Sequence, residues 1–330
     1  MHRSIHSSRR CLLARRALLA RLRAFLFCLL GLMPALAHAA PIKVVATVPA
    51  LASLARDIGG DRVEVTSLSL ATQDPHFVDA RPSLALALNR ADLLLAVGLE
   101  LELGWLPTLL TGARNPRVQV GGPGYVDCSM AAMLRGVITG PIDRAHGDVH
   151  AGGNPHYLFD PHNALRVGKL IAERLSAIDP EGSAIYAANE RAFAESLNRR
   201  VADWQARLKP LKGRPIIAYH SSWLYLAEWI GLREVAFIEP RPGIAPTPSH
   251  VARVIATGRA EGVRAILQET FYADSTSRLI ADKLGAKLLR LDGGPNTRRG
   301  ESYADHMERV VAALIEAMAP AVQSSKEARP

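Results

Sequence analysis

The sequence predicts an α/β protein of two lobes, each a mostly parallel sheet flanked by helices, joined by one long rigid helix. Three observations predict it. Runs rich in β-branched residues alternate with helix-periodic segments before residue 121 and again after residue 214, the pattern of parallel sheets with helices on both faces. Between them, from Asp179, apolar residues keep a helical period for about 28 residues, roughly 40 Å of rod. The chain has 330 residues and is 48% hydrophobic, enough to build a core for two such lobes.

The first 39 residues stand apart. Residues 1–23 hold seven arginines and no acid, Ala24 to Leu36 is apolar, and Ala37-His38-Ala39 is a small-residue cleavage site. These are the parts of a signal peptide over 1–39, removed near Ala40 on export. The apolar run of about thirteen residues falls short of the roughly 18–20 that span a bilayer. An uncleaved anchor is therefore the weaker reading, and Cys28 sits inside the run, which disfavours a lipoprotein. Loss of the seven leader arginines takes the net charge from +9 to +2. The basic pI then gives no support to a nucleic-acid partner. Of Cys11, Cys28 and Cys128 only the last is retained, so the mature chain has no internal disulfide.

The first lobe is expected over 40–178. "IKVVATV" (42–48), "RVEVTSLS" (62–69), "LLLAVG" (93–98) and "RVQVG" (117–121) read as strands, with helices at "ALASLARDIG" (50–59) and "SLALALNRA" (83–91). Residues 122–155 are loop-rich, and a helix follows from about His162 to Ala177. The linking helix is expected over 179–210, with Asp179 as cap and Pro180 in its first turn. Tyr186, Phe193, Leu197, Val201, Trp204 and Leu208 mark one face of it. In the second lobe, 211–330, "PIIAYH", "EVAFIE", "VRAILQE" and "KLLRLD" are strands. "SSWLYLAEWIG", "PSHVARVIATGRAEG", "DSTSRLIADKLG" and about 303–318 are helices, and "VQSSKEARP" is a frayed tail.

Ligands of parallel α/β sheets lie outside the carboxyl ends of the strands. His220, Glu269 and Asp292 each close a predicted strand, while His76 and His156 lie in loops. The two loop histidines share a context, "DPHFVD" and "NPHYLFD". Pro75 and Pro155 fix local backbone, Phe77 or Tyr157 can pack on the ring, and Asp79 and Asp160 can orient it by accepting its second N–H. His146 and His150 read as solvated loop residues, and His250 and His306 as helix-surface residues. "GGPGY" lacks the strand-to-helix setting of a dinucleotide loop, and His220-Ser221 lacks a nucleophile elbow.

These segments resemble the metal-binding receptors of ABC-type importers, the zinc- and manganese-binding solute-binding proteins, over about 41–320. "DPHFVDARPSLALALNRADLLLAVGLELE", "GNPHYLFDPHNALRVGKLIAERL" and "IIAYHSSWLYLAEWIGL" carry the resemblance. It implies a periplasmic protein that holds metal between its lobes, with His76 and His156 from the first lobe and His220 from the second. It implies a late aspartate as fourth ligand, here Asp292, with Glu269 in reserve. Its implied partners are an inner-membrane permease and a cytoplasmic ATPase, and the receptor is expected to be a monomer. The acidic, His-rich loop of zinc members is reduced here to "AHGDVH".

Three imidazoles and one carboxylate fit tetrahedral Zn²⁺ best, ahead of Mn²⁺ or Fe²⁺, since manganese prefers more oxygen. Each ring binds as the neutral form, so affinity is expected to fall as pH drops through roughly 6.5. The competing expectation is an exported zinc hydrolase, with Glu269 as base beside an open coordination position. No H-E-x-x-H pair supports it.

Overall fold

The computed structural model describes residues 40–138, 150–241 and 243–318. The leader, His146 and the tail after Met318 lie outside the described residues. Strands β1 (Ile42–Ala46), β2 (Val63–Ser67), β3 (Leu93–Ala96) and β4 (Tyr125–Asp127) form one parallel sheet in the order β2-β1-β3-β4. Strands β5 (Pro215–Ala218), β6 (Arg233–Phe237), β7 (Ala265–Glu269) and β8 (Lys287–Leu291) form a second in the order β6-β5-β7-β8. In each half the first strand is central, and its successors pair on opposite sides. That reversal opens a crevice at the strands' carboxyl ends.

Burial explains the strand sequences. All residues of β3 and β7 are buried, as expected of strands covered by helices on both faces. Edge strands β2 and β6 keep partly exposed or exposed positions throughout. Helices α1 (Pro49–Gly59), α2 (Pro82–Asn89), α3 (Leu106–Ala113) and α4 (Pro161–Ile178) belong to the first half. Helices α6 (Leu224–Ile230), α7 (Pro248–Glu261), α8 (Ser275–Leu284) and α9 (Tyr303–Met318) belong to the second.

Between them runs α5 (Ser183–Leu208), 26 residues long. Asp179 caps a short 3₁₀ turn just before it, accepting the Gly182 N–H, and also takes the Tyr186 hydroxyl at 2.6 Å and pairs with Arg62. Tyr186, Leu197, Val201, Trp204 and Leu208 are buried, and Phe193 is partly buried. The helix packs on α1 and α4 in the first half and on α9 in the second. Trp204 Nε1 donates to Glu308 at 2.7 Å, and Arg207 pairs with the same carboxylate. One apolar cluster therefore includes Leu51 and Leu95, Trp204 and Leu208, and Ile216, Leu267 and Val310.

Two elements differ from the sequence reading. "RVQVG" is not a strand: Asn115 accepts the Arg117 N–H, and Pro116–Val118 closes a 3₁₀ turn. The proline has no N–H to offer a ladder. The fourth strand is instead Tyr125–Asp127, three residues paired with β3. Helix α3, which the reading gave no element, buries Leu106, Leu109, Leu110 and Ala113.

Candidate metal centre

Three loops bring histidines to the crevice. His76 lies between β2 and α2, His156 just before α4, and His220 just after β5. Asp74 Oδ1 accepts the His76 backbone N–H at 2.9 Å and lies 2.7 Å from its Nδ1. Asn154 Oδ1 does the same for His156, at 2.9 and 3.0 Å. The intervening proline explains the repeated motif. Its fixed φ folds the chain so that the preceding side chain reaches both the N–H and the ring two residues on, an Asx turn extended to the imidazole. Trp105 Nε1 bonds the Pro75 carbonyl at 2.9 Å and anchors the first loop.

His220 is oriented from another direction. Its Nδ1 lies 2.7 Å from Glu239 Oε2, and Oε1 of that carboxylate accepts the Gly243 N–H at 2.7 Å. Both side chains are buried. In all three histidines an oxygen acceptor occupies the Nδ1 side. Nδ1 therefore carries the proton, and Nε2 presents its lone pair.

Those lone pairs converge. His76, His156 and His220 each offer a ring nitrogen, and the three lie within 4.8 Å of one another. Ring centroids are 5.3 Å apart for His76–His156, 5.4 Å for His76–His220 and 5.3 Å for His156–His220. A near-equilateral triangle of imidazoles is one face of a tetrahedral coordination shell. His220 Nε2 is buried and makes no hydrogen bond, a cost a native fold accepts where an ion completes the site.

Desolvation pushes the His156 pKa well below its ordinary value, helped by His220, His76 and His150. The ring stays neutral and competent to bind. Burial works to raise the Asp74 carboxyl, but the hydrogen bonds from the His76 ring and backbone N–H hold it below the usual range. Glu269 is buried, and neither of its oxygens makes a hydrogen bond of good geometry. Desolvation lifts it to about 7, against a small opposing effect of Ser222. It lines a pocket with His76 and His156.

Several expected roles fall elsewhere. Asp292 accepts from Thr270 Oγ1 at 2.8 Å and pairs with Arg309 at 3.3 Å, and it is not in the converging group. Asp79 is exposed, and Asp160 orients His162, not His156, at 2.8 Å. The orienting groups precede their histidines by two residues because the proline turns the chain back. Asp160-Pro161-His162 is thus a third copy of the motif, spent on opening α4. The Phe77 ring is 6.3 Å from His76 and largely exposed. Tyr157 turns into the core, where its hydroxyl bonds the Val97 carbonyl at 2.8 Å.

His306 is not on the surface but buried, with Arg309 donating to its Nδ1 at 3.2 Å. His250 is exposed-side, with Nε2 3.0 Å from the Phe237 carbonyl. His150 is not simply solvated: its Nε2 lies 3.3 Å from Nε2 of His76, with ring centroids 5.4 Å apart. Sequence reasoning also missed Glu239. It closes "EVAFIE" just as Glu269 closes "AILQE", so the strand-end rule could have found it.

Known proteins resemble this chain over most of its length. The manganese-binding lipoprotein MntA of Halalkalibacterium halodurans is 24% identical over 267 residues, 80% of this chain and 79% of the relative. The high-affinity zinc uptake system protein ZnuA of Paracoccus denitrificans is 29% identical over 238 residues, 63% of this chain and 69% of the relative. A crystal structure of ZnuA superimposes with a TM-score of 0.69 at 24% identity, covering 84% of this chain and 99% of that one, which shows the shared fold. The family described as "ZnuA: Zinc-uptake complex component A periplasmic" matches residues 44–317. With most of its length inside that match, the chain belongs to the ZnuA family of metal-binding receptors and is a binding protein, not an enzyme.

Proposed function

We propose that this chain is exported with its leader removed and captures one divalent ion, zinc before manganese or iron. It then passes the ion to an inner-membrane ABC permease driven by a cytoplasmic ATPase. The observation that carries the reading is the convergence of His76, His156 and His220 through nitrogens left free by their Nδ1 partners. Imidazole is a borderline-soft ligand that suits zinc, whereas manganese favours oxygen-rich sites. The three histidines are the proposed ligands. Asp292 is not proposed, because Thr270 and Arg309 already engage its carboxylate. Glu269, Asp74 and Glu239 surround the triangle with acidic groups that balance the ion's charge.

His76 and His156 come from the first half of the chain and His220 from the second, so the ion bridges both. Occupancy and shape are coupled by that shared bond set. Equilibrium dialysis with metal analysis is the test. One zinc per chain at sub-micromolar affinity, lost in His76→Ala, His156→Ala and His220→Ala, supports the reading. No bound zinc, or wild-type binding in all three variants, overturns it. Manganese is the second reading, favoured by the manganese-binding relative. Manganese displacing zinc at equal concentration decides for it.

A further inference from the structure

We propose that a second cavity, formed where α1, β2 and the β8–α9 loop meet, binds a small polyvalent oxyanion. Its volume is about 430 Å³, and none of the three converging histidines lines it.

Three stretches of chain build the walls. Pro49 and Arg56 both stand on α1, seven residues and so roughly 10 Å apart along the helix. The end of β2, from Val65, and the loop after it, to Thr72, form the second wall. Asn296, Thr297 and Arg298, between β8 and α9, form the third. The cavity is therefore elongated and draws on both halves of the chain.

Hydrogen bonds hold this frame in place. Ser67 Oγ donates to the Ser69 carbonyl at 2.9 Å, and Ser69 Oγ donates to the Thr47 carbonyl at 2.8 Å. Those two hydroxyls fix the loop and have no proton left for a ligand. Gly293 N–H donates to the Ala71 carbonyl at 2.9 Å, which ties the loop to the second half. Glu301 accepts the Asn296 N–H at 2.6 Å, and its charge is already met by Arg309.

The charge facing the cavity is one-sided. Arg56 and Arg298 line it, and none of the described Asp or Glu residues does. Asp57, beside Arg56 in the chain, is not part of the wall. Arg56 spends one N–H on the Val65 carbonyl at 2.9 Å, which leaves most of its fork available. Among the described residues Arg298 makes no ion pair or hydrogen bond, and neither do the hydroxyls of Thr66, Thr72 and Thr297. Guanidinium forks match the paired oxygens of phosphate and carboxylate. Two forks on an elongated cavity call for more than one anionic group. A monovalent anion would satisfy one guanidinium and leave the other.

The test is titration calorimetry on the mature chain stripped of metal, with pyrophosphate, citrate and acetate as probes. The expected result is one site with Kd below about 1 mM for pyrophosphate or citrate. Acetate should bind about tenfold more weakly or worse, and the tighter of the other two separates a phosphate from a carboxylate ligand. Arg56→Gln and Arg298→Gln should each weaken binding by about tenfold or more, the usual loss for a hydrogen bond to a charged group. Arg299 is exposed and outside the wall, so Arg299→Gln, with the same loss of charge, should bind like wild type. His220→Gln, altered only at the metal centre, should do so too. No saturable binding by wild type, acetate binding as tightly as the polyvalent probes, or equal losses in Arg298→Gln and Arg299→Gln overturns the proposal. With no metal present, each of those outcomes leaves the metal-capture reading standing.

Discussion

The His220 imidazole and the Glu239 carboxylate meet at 2.7 Å where β5 and β6 end, and both side chains are less than a tenth exposed. An acceptor in that position fixes the ring's tautomer and aim, and removing such a partner typically costs about 10–100-fold in metal affinity. Glu239→Ala should weaken zinc binding by that amount while the metal-free fold stays intact by circular dichroism. Unaltered affinity would mean the ring is aimed by packing alone.

The Asx turns at Asp74 and Asn154 make a graded prediction. Asp74→Asn keeps an oxygen for the His76 N–H and Nδ1 and should cost only a few-fold in affinity. Asp74→Ala removes both bonds and should cost about 10–100-fold. Asn154→Ala should be at least as severe, because the Asn154 amide also donates to the Ser221 carbonyl beside His220 at 2.8 Å. Chelator competition on the three variants gives the order directly.

Proton release separates the histidines. Burial and neighbouring imidazoles hold the His156 pKa well below ordinary histidine, so this ring is already neutral at pH 6–7 and yields no proton when zinc binds. Calorimetry in buffers of different ionisation enthalpy should therefore count the same number of released protons for wild type and His156→Gln, although affinity falls. A drop of one proton in the variant would refute the assignment of a neutral His156.

His306 predicts how stability depends on acid. Burial, reinforced by Arg309, lowers its pKa to about 3, against an opposing pull from Asp292. The unfolded chain, with a pKa near 6.5, binds a proton that the folded chain refuses. The contribution is complete above about pH 6.5 and is lost as pH falls toward 3, up to about 5 kcal/mol in all. Urea unfolding of His306→Leu at pH 4, 5 and 7 should show a flatter acid limb than wild type. Arg309 would keep its pairing with Glu301.

Much of this was legible in the sequence, for identifiable reasons. The buried strands β3 and β7 are continuous apolar runs, and α5 advertises itself through Tyr186, Leu197, Val201, Trp204 and Leu208. β4 escaped because three residues show no periodicity, and its existence depends on a ladder to β3 thirty residues away. His76 and His156 were conspicuous by their shared prolines, yet the direction of their support was misread. The acceptor lies behind each histidine because of how proline turns the chain. Glu239 was overlooked although it closes a strand as Glu269 does, whereas His150 was hidden for a different reason: its contact with His76 spans 74 residues, which no local pattern encodes.

The shared apolar cluster running from Leu51 through Trp204 and Leu208 to Val310 bears on how long the cargo is kept. Prising the halves apart wets that seam, and at about 25 cal/mol per Å² even about 200 Å² of new apolar surface costs about 5 kcal/mol. Spontaneous gaping is correspondingly rare, so unaided escape of the ion is slow. On the proposed delivery to a membrane permease, rapid unloading needs that partner to supply the missing work, which makes custody of the ion a matter of rates as much as of affinity.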